Sequence, residues 1–334
     1  QNFPNSKRSA KTAPQSLPQD TLSIYILNYT LNKPPKFGTI SYMIIDNKYT
    51  IRHKVLTGNI DGKCQATPME FAILMQELAA GHYSSAGLSI PHLQRMGLTW
   101  VITKQYFEIT EYPLWMDDLI VQTWAQPPKG FFCFRDFAFF YAKNGKKTSI
   151  DEAFEEKCRI EEGREKSLSI EEEFKELKQP IFRASSCWVI LNSETGQPVK
   201  PDEKTMGNLA FNEDHLEGKV FAKIPACENR DTEERFRPTL LDIDMNSHVN
   251  NLNYLRWILS YMDADFCKGK LLKTLDTNFV SSAMYGEELI CRSSRSENTC
   301  IHSIIRAKDE SEVFKARSEW ADEKALSRTL NLSD

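Results

Sequence analysis

The sequence predicts an α+β fold made of two similar units, each a buried helix followed by antiparallel strands that curve around it. Three observations carry that expectation. Two apolar helices stand far apart in the 334-residue chain, one opening at Thr67 and one spanning 250–263. Each is followed by several segments of strand composition divided by Pro and Gly turns. The two halves also match locally: PLWMDDLIVQT (113–123) can be laid on AMYGEELICRS (283–293), with paired acids before an apolar triplet in both.

Taken in order, residues 1–37 read as a flexible tail, since 1–19 are rich in Ser, Pro, Lys and Gln and nearly free of acids. An organelle-targeting peptide is the alternative for that stretch. GTISYMIIDNKYTIRHKVL (38–56) has strand composition broken by an Asp46-Asn47 turn signal, which predicts a hairpin. Thr67-Pro68-Met69-Glu70 has the pattern of a capping box, with Pro68 suited to the first helical position. Phe71, Ile73, Leu74, Met75 and Leu78 then occupy more than one helix face, so this helix is expected to be buried. Strands are expected at 98–110, 117–126, 131–142 and 183–192. Between the last two, the Glu- and Lys-dominated stretch 146–180 reads as a solvated helical insertion. The polar stretch 201–236 lacks sustained periodicity and reads as a linker. After the second helix, strands are expected at 270–284, 287–295, 299–308 and 312–321; in the last, Phe314, Ala316 and Trp320 alternate with Lys315, Arg317 and Glu319. The domains are therefore placed at 38–200 and 237–325, with a tail at 326–334.

Composition narrows the function. A formal charge of −4 and the lack of a basic cluster interleaved with aromatics argue against a nucleic-acid partner. The eight cysteines are scattered without C-x-x-C spacing, so neither a zinc site nor a redox motif is expected, and reduced thiols in a cytoplasmic setting are the simplest reading. No run is long and apolar enough for a membrane span. No cofactor or metal is expected.

The chemistry concentrates in DIDMNSHVNN (242–251), directly before the apolar helix NNLNYLRWILSYM. A helix start presents orphan N–H groups and the positive end of the helix dipole, which suit a carbonyl oxygen gaining negative charge. If the chain is extended there, Asp244, Asn246 and His248 project on one side toward the same pocket. A carboxylate, an amide donor and an imidazole able to exchange a proton near neutral pH suffice to hydrolyse an activated acyl group. The same residues also suit a plainer role as helix caps and a satisfied structural histidine.

DIDMNSHVNNLNYLRWIL resembles the signature of the acyl-acyl-carrier-protein (acyl-ACP) thioesterase family of plants and bacteria. QELAAGHYSSAGL (76–88), 98–124, SCWVILN (186–192) and the C-terminal half agree in order, so the resemblance covers roughly 38–322. It implies tandem hotdog domains, the first forming the acyl-chain tunnel and the second holding Asp244, Asn246 and His248 at the catalytic positions. It further implies release of fatty acid from acyl-ACP, with Tyr254 and Trp257 on the substrate side. The implied partners are acyl carrier protein and its fatty acyl chain, with either a monomer or a homodimer, in the cytoplasm or, in a photosynthetic eukaryote, the plastid stroma. An acyl-CoA thioesterase and a catalytically weakened acyl-binding protein are the alternatives.

One departure matters. Where the family carries a Glu followed by Cys or Ser, NFVSSAMYGEEL (278–289) places Ser282 or Ala283 at the acid and Ala283 or Met284 at the thiol. Cys291 lies beyond the next turn, so direct attack by water is expected rather than a Cys nucleophile. Asp244 and His248 would then share orientation and general-base work, Asn246 would hold the carbonyl, and Ser282 could hold a water.

Overall fold

The computed structural model describes residues 42–147, 168–215, 221–228 and 230–328. The expected tail 1–37, the middle of the charged insertion (148–167) and residues 329–334 lie outside the described residues. The elements are β1 (Tyr42–Ile45), β2 (Lys48–Lys54), α1 (Pro68–Ser85), α2 (Ile90–Arg95), β3 (Leu98–Ile109), β4 (Asp118–Ala125), β5 (Phe132–Tyr141), α3 (Ile170–Phe174), β6 (Phe182–Asn192), β7 (Pro198–Val199) and α4 (Glu203–Met206). They continue as β8 (Thr232–Phe236), α5 (Asn251–Ser260), α6 (Ala264–Cys267), β9 (Lys270–Phe279), β10 (Leu289–Ser296), β11 (Thr299–Arg306), β12 (Glu312–Asp322) and α7 (Glu323–Leu326).

All strands join one sheet, in the order β1-β2-β4-β5-β6-β3-β9-β12-β11-β10-β8, with β7 on β6. Read outward from the β3–β9 junction, the first half runs β3, β6, β5, β4, β2 and the second β9, β12, β11, β10, β8. The connectivity is the same, so the local match seen in sequence is the trace of a repeated unit: the matched Leu119 and Leu289 lie at the starts of β4 and β10, as their second and first residues. The halves are stitched by antiparallel pairing from Lys104↔Asn278 to Glu108↔Thr274.

Each long helix lies on the sheet by its apolar residues. Phe71, Leu74, Met75 and Leu78 of α1 are buried, with Phe71 stacked 4.8 Å from Phe182 of β6. Tyr254, Leu255, Trp257 and Ile258 of α5 are buried likewise, and Tyr254 stacks 5.4 Å from Phe314 of β12. One apolar cluster runs through both halves. Full burial of a side chain such as Leu78 or Ile258 contributes about 1.5–3 kcal/mol, so these helices are held by packing rather than by propensity. No helix among the described residues is long and apolar enough to cross a membrane.

Several local expectations change. The hairpin forms at Asp46 and Asn47, both with positive φ (51° and 54°), as a two-residue turn between twisted strands requires. Thr67 makes no side-chain cap; the Glu70 carboxylate instead meets His53 Nε2 at 2.6 Å and Asn59 Nδ2 at 2.8 Å, tying the helix start to β2. α2 forms where the sequence predicts no element, started by the Ser89 hydroxyl accepting from the His92 N–H (3.3 Å). β9 ends at Phe279 rather than 284, because Val280 and Ser281 both donate to the single carbonyl of Val313 (2.9 and 3.2 Å) and the ladder stops. Thr232–Phe236, inside the stretch read as linker, is the edge strand β8 paired with β10. Leu326 and Arg328, expected in a tail, pack back on the first half: the Leu326 carbonyl accepts from Tyr112 N–H (2.9 Å), and Arg328 pairs with buried Asp117.

Candidate active site

The loop before α5 is not extended. A 3-10 turn at Leu240–Asp242 leads into a tight loop closed by an Ile243↔Val249 bridge. Within it the Asp244 N–H donates to the His248 carbonyl at 2.8 Å, and Ser247 takes a left-handed φ of 62°. Asp244 Oδ1 accepts from the backbone N–H groups of Asn246 (2.8 Å) and His248 (3.4 Å). The carboxylate therefore holds the loop from within, a turn that Asp forms readily. The expectation of three side chains alternating along an extended segment is corrected by this curl: Asp244 faces its own backbone, while the Asn246 and His248 side chains leave it half-buried.

The two remaining groups differ in their ties. Asn246 Oδ1 accepts from Gln94 Nε2 of α2 at 3.1 Å, which leaves its amide N–H groups to donate. The His248 imidazole has no hydrogen bond or ion pair among the described residues. Directly after the loop, Asn250 caps α5 by accepting the Leu252 N–H at 3.0 Å, so the helix start and the loop are one rigid piece.

The strand exit beside the loop is fixed by the Val249 N–H donating to the Ala283 carbonyl at 3.0 Å. Ser282, one residue before, is exposed, and its carbonyl accepts from Arg306 Nη2 at 2.6 Å. Tyr254 and Trp257, expected on the substrate side, are buried in the core of the second half. They pack against each other and against Phe279, Phe314 and Phe236, and the Tyr254 hydroxyl is used by the Ala283 N–H (3.0 Å). Burial pushes the Tyr254 phenol up to about 12, so it stays a neutral brace.

Two neighbouring cavities follow, of which the smaller borders the start of α5. A smaller one of about 30 Å³ touches Asn251 and Leu252 in the first turn of α5, together with Met75, Gln105 and Thr277. It shares Gln76 and Trp188 with a larger, apolar cavity of about 140 Å³ in the first half, walled by α1, β5 and the α4 segment. Sequence reasoning missed Gln94 and this cavity wall. Gln94 lies 152 residues from Asn246, and its only local signal was a Ser89-x-Pro91 helix start.

A repeated unit of a long helix wrapped by a curved antiparallel sheet, with a polar loop at one helix start, is a tandem hotdog. The chain belongs to the acyl-ACP thioesterase family: residues 46–178 match its N-terminal domain and 226–322 its C-terminal domain. A palmitoyl-acyl carrier protein thioesterase of Arabidopsis thaliana is 23% identical over 270 residues, covering 74% of this chain and 57% of the relative. An oleoyl-acyl carrier protein thioesterase of Coriandrum sativum is 25% identical over 260 residues, covering 72% of this chain and 61% of the relative. The chain thus spans about 57–61% of the length of these two curated relatives. Among solved structures, an acyl-ACP thioesterase from Bacteroides thetaiotaomicron has a TM-score of 0.64 at 19% identity, covering 83% of this chain and 98% of that one. The 12:0-ACP thioesterase from Umbellularia californica has a TM-score of 0.63 at 16% identity, with coverage of 83% and 98%.

Proposed function

We propose that the chain hydrolyses the thioester of fatty acyl-ACP to free fatty acid and acyl carrier protein. The observation that carries the reading is the curled loop at the start of α5, which sets an amide donor and an imidazole without a partner among the described residues at a helix start bordered by the smaller cavity. In the proposed reaction His248 accepts a proton from water as the oxygen attacks the thioester carbon. The Asn246 amide and the first N–H groups of α5 donate to the carbonyl oxygen as it gains charge. Collapse breaks the C–S bond, and the leaving thiolate takes the proton from the imidazolium. Asp244 acts by holding the loop; Ser282 remains a candidate to hold the water. Leu240, Leu241, Met245, Met284 and Tyr285 are exposed around the loop and would meet the carrier. The relatives' chloroplastic names support a plastid stroma if the host is photosynthetic, and a cytoplasmic setting otherwise.

A second reading, acyl binding without efficient turnover, is favoured by one observation: neither Ser282 nor Ala283, the two candidates for the acid's position, is an acid. Incubating the purified chain with acyl-ACPs and acyl-CoAs of graded length separates the readings. Hydrolysis predicts free acid, with loss in His248→Ala and Asn246→Ala; full activity in both variants would sink the assignment. Retained, unhydrolysed acyl groups would select the binding reading.

A further inference from the structure

We propose that the larger cavity takes an acyl chain carrying an oxygen acceptor, a hydroxyl or a carboxylate, on the half distant from the thioester. This inference rests on the acyl-thioester reading above and adds the class of chain. The cavity is apolar apart from a few groups, of which Arg135 of β5 is the most unusual. Arg135 is only 8% exposed, yet it forms no ion pair among the described residues. Its Nη1 donates to Thr123 Oγ1 at 3.2 Å and lies 2.9 Å from His82 Nδ1, while Nε and Nη2 have no partner among the described residues. His82 offers no countercharge: burial, then the neighbouring guanidinium, push its pKa down to about 3, so it is a neutral acceptor. Asp136, next on the strand, is the nearest countercharge and acts on Arg135 through space, but it forms no ion pair with it: its Oδ2 is held by Gln126 and His215 (2.6 and 3.1 Å). Gln76, another polar side chain on the wall, has no hydrogen-bond partner among the described residues.

The order of contacts gives direction. The reaction loop leads to Asn251 and Leu252 beside the smaller cavity, Gln76 and Trp188 border both cavities, and Arg135 borders only the larger. A chain whose thioester sits at the start of α5 therefore reaches Arg135 with its distal part. A methyl-terminated chain would strip water from the spare N–H groups of a buried cation and return no acceptor. An oxygen at that depth would satisfy them, and sites built to hydrogen-bond a substrate oxygen discriminate strongly against analogues that lack it.

Non-hydrolysable S-alkyl pantetheine thioethers of matched length, ending in methyl, hydroxyl or carboxylate, test this by binding alone. The hydroxyl or carboxylate chain is expected to bind about tenfold or more tighter than the methyl chain at some length. Arg135→Met should reverse that ranking, and Gln76→Leu, which removes a group with no partner, should weaken it severalfold. The relative standing of hydroxyl and carboxylate tells whether the recognised oxygen is neutral or charged. Methyl chains binding as well as or better than both others at every length in the wild type would overturn the proposal, as would an unchanged ranking in a folded Arg135→Met. Because the wild-type ranking decides by itself, a variant that fails to fold does not blunt the test. The same three chains as acyl-ACP thioesters address turnover separately: binding preference without release of acid would overturn the hydrolysis reading and leave this one standing.

Discussion

The loop Asp61–Thr67 in the first half and the loop Asp244–Asn250 in the second have one backbone and two chemistries. Both follow a 3-10 turn, both are closed by a bridge (Ile60↔Ala66 and Ile243↔Val249), and both carry a left-handed residue at the same place, Cys64 at 60° and Ser247 at 62°. Asp61 Oδ1 accepts from the N–H groups of Lys63 (2.8 Å) and Gln65 (3.0 Å), as Asp244 Oδ1 does from Asn246 and His248. The Ala66 N–H donates to Pro113 O at 2.9 Å where the Val249 N–H donates to Ala283 O at 3.0 Å. What differs is the two side chains that follow: Lys63 pairs with Glu323 at 2.5 Å and Gln65 is buried, against Asn246 tied to Gln94 and His248 without a partner among the described residues. The aspartate belongs to the loop's architecture in both halves, so the reactivity assigned to one of them rests on Asn246 and His248.

Making the second loop resemble the first should break the difference. His248→Gln, the residue found at position 65, is expected to lower kcat/KM for acyl-ACP hydrolysis by about 10³-fold, in the range of a lost general base. Its melting temperature should hold, since the imidazole has no partner to lose. Asn246→Lys is expected to cost about 10²-fold in kcat, the range of one lost oxyanion donor.

Two buried histidines sharpen the comparison at the level of stability. Burial pushes His82 in the first half down to about 3 and His302 in the second to about 4, from an ordinary 6.5. Below pH 6.5 the unfolded chain binds protons that the folded chain refuses, so stability is complete above that value. It should fall as pH drops toward 4, and the loss attributable to His302 should end once pH passes its folded value. Denaturant titrations across that window should show the decline, with a smaller slope in His302→Asn. The smallest effect is the most diagnostic. Asp61→Ala and Asp244→Ala should each cost about 1 kcal/mol of stability, as lost turn-capping carboxylates do. Asp244→Ala should also reduce turnover, whereas Asp61→Ala should leave it unchanged.

Much of this was legible in the chain itself. Strand alternation in 312–321 and the dense apolar surface of both long helices are properties of local spacing, and they place the sheet and its cores. DIDMNSHVNN marks the helix start for the same reason: caps are written in adjacent residues. The curl of Asp244 back on its backbone was misread because alternation alone does not distinguish an extended segment from a turn closed by a carboxylate. Gln94 and Arg135 were invisible, because their meaning comes from α2 meeting the second half and from β5 facing α1. The burial of Tyr254 and Trp257 was not legible either, because a helix covered on most of its surface does not announce which of its aromatics pack on the sheet.

The contact between Arg328 and Asp117 bears on how the protein is made. Burial raises the pKa of Asp117, and Arg328 is the cation that offsets it. Arg328 follows every described strand of the sheet in the chain, so the cation that offsets Asp117 is synthesised only after the second half is complete. The first half is thus closed by a residue from the far end of the described chain, and the two repeats share one last contact as well as one core.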